Sequence, residues 1–146
     1  MAFWDASALV KLYVRECDSG YFRELMRTSA DTAVVSQFSL AEMHRALWAK
    51  EIAHAIPEHR AETTYQRFRS NVESANFEVV PFGRDVQRES DRVIQICYRA
   101  KSVVPIRTLD CLLLASALVA RTPELISTDS RMRNAASVLG LAVLPE

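Results

Sequence analysis

Short apolar and β-branched runs alternate along the chain with longer stretches in which apolar residues recur every three or four positions. The short runs cover residues 2–4, 33–35, 77–82, 124–127 and 141–144, a length that suits strands rather than helices. Helical periodicity fills the intervals at about residues 6–15, 18–28, 38–53, 57–75, 85–100, 108–121 and 130–139. Strand alternating with helix requires crossover connections. The expected fold is therefore α/β, a three-layer α/β/α sandwich around a mainly parallel sheet of about five strands. Ligands of such sheets bind beyond the carboxyl ends of the strands. Gly140, after the last helical pattern and before Leu-Ala-Val-Leu-Pro, fits a helix C-terminal cap, and Thr108 is placed to cap the helix that follows it.

Composition narrows the class. The 146 residues are 49% hydrophobic and 25% charged, as in an ordinary globular chain and unlike a disordered or fibrous one. No repeat or linker-like tract divides them, so residues 1–146 are expected to form a single domain. The longest nearly apolar run, from Cys111 to Ala120, is half the length of a membrane span and is closed by Asp110 and Arg121. No basic leader precedes Asp5, so the expected location is the cytoplasm. Cys17, Cys97 and Cys111 are odd in number and lack C-x-x-C spacing, and they read as small core residues. His44, His54 and His59 show no zinc-ligand spacing and read as surface or half-buried helix residues. Gly20, Gly83 and Gly140 lie too far apart to form a phosphate-cradling loop.

The 18 bases and 18 acids cancel, so net charge draws neither nucleic acid nor an anionic membrane. Fifteen of the bases are arginine, and Arg84, Arg88, Arg92 and Arg99 recur among acids at the spacing of a solvated helix face.

The carboxylates change this picture. Asp5 directly follows the first predicted strand, and Asp129 stands just beyond the fourth. Each alone fits a helix N-cap. Glu42 follows Ser39 at capping-box spacing, where it could bond the Ser39 N–H. Asp110 opens a segment that is apolar all round, so it enters a buried helix and needs a partner, for which Arg107 is the nearest candidate. Four acids at four helix starts form an oxygen-only donor set. Such a set suits Mg²⁺ or Mn²⁺, which would offset the repulsion among the acids.

The segments Asp5-Ala6-Ser7-Ala8-Leu9-Val10-Lys11-Leu12-Tyr13, Ser39-Leu40-Ala41-Glu42, Leu109-Asp110-Cys111-Leu112-Leu113-Leu114-Ala115 and Ser127-Thr128-Asp129 resemble the PIN domain from end to end, and most of all the VapC-type ribonuclease toxins. The resemblance implies a metal-dependent endoribonuclease, the toxin of a type II toxin–antitoxin pair, that hydrolyses RNA and leaves a 5′-phosphate. It implies that Asp5, Glu42, Asp110 and Asp129 are at once the metal ligands and the catalytic set, with Ser7 and Ser127 supporting them. It further implies a homodimer and a groove for a cognate antitoxin, and no membrane. Leu40, Met43, Leu47, Trp48, Tyr65 and Phe68 offer apolar surface beyond one obvious packing face. Leu113 stands where many family members carry histidine, and Thr128 is not the commonest choice before the last acid.

Setting the four acids aside leaves bases in excess on the remaining surface. Lys11, Arg107, Arg131 and Arg133 flank the predicted site as candidate phosphate contacts. Two aspartate-based rivals lack their signatures. Ser7 occupies the second acid of D-x-D, and the last lysine, Lys101, comes too early for a receiver domain. The remaining alternative is a PIN-like module that binds RNA or protein without cutting it.

Overall fold

A computed structural model describes all residues, 1–146. The strands are β1 (Ala2–Trp4), β2 (Ala33–Ser36), β3 (Phe77–Val80), β4 (Glu124–Ile126) and β5 (Ala142–Leu144). The helices are α1 (Ala6–Tyr13), α2 (Ser19–Thr28), α3 (Phe38–Ile52), α4 (Arg60–Glu73), α5 (Arg84–Arg99), α6 (Thr108–Val119) and α7 (Ser130–Val138). All strand pairs are parallel, in the order β3-β2-β1-β4-β5. The expected α/β/α sandwich is formed.

Alternation along each strand divides the core in two. Phe3, Val34 and Leu125 point into one cluster with α5, α6 and α7. Their neighbours Trp4, Val35 and Ile126 point into the other with α1, α2, α3 and α4. Both faces of the central strands are buried, which is why they read as continuous apolar runs. Fully burying each such side chain contributes roughly 1.5–3 kcal/mol, so the middle of the sheet is a rigid support.

The chain steps from β1 to β2 on one side and later returns to β4 on the other. The carboxyl ends of β1 and β4 therefore flank the point where the winding reverses, the place where such sheets bind ligands. The third predicted strand ends early, at Val80, because Pro81 has no N–H to continue the ladder. Gly140 takes φ 83° after α7, the left-handed geometry expected of it. Thr108 is the first residue of α6 rather than its cap. Arg107 holds the cap position, with no side-chain bond.

Candidate active site

Strand register builds the first half of the site. Trp4 pairs with Ile126, which sets the following residues, Asp5 and Ser127, side by side. The Asp5 N–H donates to the Ile126 carbonyl at 3.0 Å. Asp5 is 4% exposed. Its Oδ2 accepts from the Ser7 hydroxyl at 2.5 Å, the Ser127 hydroxyl at 2.8 Å and the Ser7 N–H at 3.3 Å. Each hydroxyl has one proton, given to Asp5, and an oxygen free to accept. Ser7 Oγ accepts the Thr128 N–H at 3.0 Å, and Ser127 Oγ accepts the Asp129 N–H at 3.1 Å. Two relays thus run from the β4–α7 backbone through serine to Asp5 Oδ2, leaving Oδ1 without a protein partner. Asp129 caps α7, its Oδ1 accepting the N–H groups of Arg131 at 2.8 Å and Met132 at 3.1 Å.

Helices supply the second half. Glu42 lies in the first turns of α3, and its buried Oε2 has no hydrogen-bond partner. Burial first, then the charges of Asp5 and Asp110, push its carboxyl up to about 8, against the pull of Arg45. Asp110 lies in the first turn of α6. Burial, then the charge of Asp129, raise its pKa, while Arg107 and Arg131 oppose the rise through their charges. Arg107 makes no salt bridge with it. All four acids line one cleft of about 700 Å³.

The PIN domain family pattern matches residues 2–138. The chain belongs to the PIN domain family. Among its relatives, Ribonuclease VapC46 of Mycobacterium tuberculosis is 33% identical over 146 residues, covering 97% of this chain and 95% of that protein. Solved structures of similar fold include FitAB bound to an IR36 DNA fragment, with a TM-score of 0.72 at 15% identity, covering 99% of this chain and 94% of the other. Another is VapC20 of Mycobacterium tuberculosis, described as a sarcin-ricin loop cleaving toxin. It gives a TM-score of 0.69 at 16% identity and covers 92% of this chain and 95% of that one.

Several local readings need correction within this PIN domain. Glu42 makes no capping box, because α3 begins at Phe38 and the Ser39 hydroxyl already accepts the Ser36 N–H at 3.1 Å. Cys97 and Cys111 are core residues, but Cys17 is exposed. His44 is a half-buried helix residue, whereas His54 and His59 sit in turns with positive φ. Arg133 supports the fold, donating to the carbonyls of Ser127 at 2.8 Å and Pro145 at 2.5 Å. Of the surplus apolar residues, Met43, Leu47 and Phe68 are fully buried, while Trp48 is 43% exposed.

The cleft also holds Glu16, Arg45 and Lys50, which sequence reading passed over. Arg45 and Lys50 follow Glu42 by three and eight positions, so helical periodicity sets all three on one face. That spacing was the available signal.

Proposed function

We propose that this PIN domain is an endoribonuclease of the VapC kind and acts as the toxin of a toxin–antitoxin pair. Its metal ligands are Asp5, Glu42, Asp110 and Asp129, and its cation is Mg²⁺ or Mn²⁺. The observation that carries the reading is the orphaned Glu42 Oε2, buried in a cleft with three further carboxylates and no compensating salt bridge. A buried carboxylate oxygen so placed, with Asp5 also buried beside it, is costly unless a cation enters.

The donors fit a hard divalent ion. They are all carboxylate oxygens, two of them on side chains whose other oxygen is already fixed by hydrogen bonds. No three acidic, histidine or cysteine side chains converge tightly enough, as they stand, to cage an ion. Mg²⁺ does not need a cage, since it keeps several waters and binds through one or two carboxylates. When bound, a divalent ion supplies Lewis acidity to phosphate oxygens and lowers the pKa of attacking water. The chain's own contribution is orientation. Ser7 and Ser127 fix Asp5 through their relays, and the α7 N-terminus fixes Asp129.

The relative named as a ribonuclease supports the activity. A solved structure of similar fold, a toxin–antitoxin complex from Klebsiella pneumoniae with a TM-score of 0.61 at 17% identity over 89% of this chain and 88% of that one, supports an antitoxin partner. The reading extends to a homodimer working in the cytoplasm, and no helix is long and apolar enough to cross a membrane. The test is cleavage of RNA by the purified chain with Mn²⁺ and with EDTA, followed by analysis of the new ends. Metal-dependent cuts leaving 5′-phosphates support the proposal. RNA binding without cleavage under any divalent ion would replace it with the non-catalytic reading.

A further inference from the structure

The cleft has a cationic part that metal binding does not use. Lys11 of α1 is only 9% exposed, yet it lines the cleft. Its ammonium donates to Glu16 at 2.7 Å and to Asp18 at 2.8 Å. The other oxygen of Glu16 holds the ammonium of Lys50, which comes from α3. One carboxylate therefore keeps two ammonium groups together on the cleft wall. Arg45, also on the wall, forms no side-chain hydrogen bond or salt bridge, although its charge acts on Glu42.

Donor arithmetic separates this arrangement from a simple structural tie. An ammonium has three protons and a guanidinium five N–H groups. Lys11 spends two and Lys50 one, while Arg45 spends none. A tie between α1 and α3 needs one cation facing one carboxylate. Here Lys11, Arg45 and Lys50 line the same cleft together with Arg107, and of the two carboxylates that the lysines bond only Glu16 lines it too. Spare N–H donors on cations beside a carboxylate site suit an anion that spans both. A phosphodiester strand is such an anion.

We propose that Lys11, Arg45 and Lys50 form a phosphate subsite that grips the RNA backbone next to the phosphate held at the four acids. This rests on the ribonuclease reading and adds a second anchoring point to it. Arg45 supplies the fork that matches phosphate oxygens, and the two lysines supply point charges. Phosphate carries no base identity, so the subsite fixes register along the strand without choosing sequence.

The test is binding of a fluorescein-labelled single-stranded RNA of about ten nucleotides to the full chain in Ca²⁺, with the RNA checked for intact length. Wild type, Arg45→Gln, Lys50→Gln and Lys50→Arg are compared across a salt series. Arg45→Gln and Lys50→Gln should each weaken binding several-fold and reduce the salt slope by about 0.7, the value for one lost phosphate contact on a single strand. Lys50→Arg should restore the slope. Melting temperatures accompany each variant, and Arg45→Gln, which breaks no internal bond, should melt as wild type does. Wild-type affinity and slope in both glutamine variants would overturn the subsite while leaving metal-dependent cleavage standing. A wild-type chain that binds no RNA would overturn both.

Discussion

The acids that follow strands and the acids carried by helices reach the same cleft in different states. Asp5 and Asp129 are anchored, one by two serine hydroxyls and the other by the backbone of α7. Their hydrogen bonds hold the loop between β4 and α7 in place. Glu42 and Asp110 have no such support, and burial together with their neighbours' charges raises the pKa of both. The first pair serves the fold as well as the site. The second pair costs the fold stability at neutral pH, so its reason must lie in what the cleft binds.

The largest effect should come from the best-anchored acid. Asp5→Asn should abolish RNA cleavage while far-UV circular dichroism stays that of wild type. Cleavage at the wild-type rate would remove the site from the mechanism. Ser127→Ala breaks one relay and removes a hydroxyl bond to Asp5, and it should reduce activity or metal affinity by about 10–100-fold, as loss of a group that orients a metal ligand does. Titration of Mn²⁺ by activity measures it.

Stability should divide the two pairs by sign. Asp129→Ala removes the α7 cap and should cost about 1 kcal/mol in urea unfolding. Glu42→Gln removes an unsupported carboxylate and should raise the melting temperature at pH 8 without metal. A loss in both variants would mean that Glu42 is structurally supported after all.

The smallest effect is a pH slope. Glu42 keeps its proton in the fold up to about 8, against an ordinary value of 4.5. Between those values the folded chain holds a proton that the unfolded chain has released, so stability is greatest below the window and falls as pH rises through it. Asp110, also raised, adds in the same direction. Melting temperature in EDTA should decline from about pH 5 to 8, and Glu42→Gln should flatten the decline.

The sequence made the sheet legible because each central strand is buried on both faces, and it made the strand-end acids legible because they directly follow apolar runs. Interactions that depend on the path of the folded chain were not legible. Ser39 looked like a cap partner for Glu42 only because spacing cannot show that its hydroxyl already accepts the Ser36 N–H. Lys11 stood out by its closeness to Asp5 in the chain, whereas Lys50 reaches Glu16 beside it only when α1 and α3 pack together. Cys17 looked like a core residue because thiols usually are, and its turn position between α1 and α2 leaves it exposed.

The central claim is that the cleft lined by the four carboxylates binds a divalent cation. The most direct measurement is the melting-temperature shift on adding Mn²⁺ to wild type and to Asp110→Asn, which needs no knowledge of the RNA target. A cation that binds only the folded chain must stabilise it. The account predicts a concentration-dependent rise in wild type that is lost or greatly reduced in Asp110→Asn. No rise in wild type, or an equal rise in both, would contradict it.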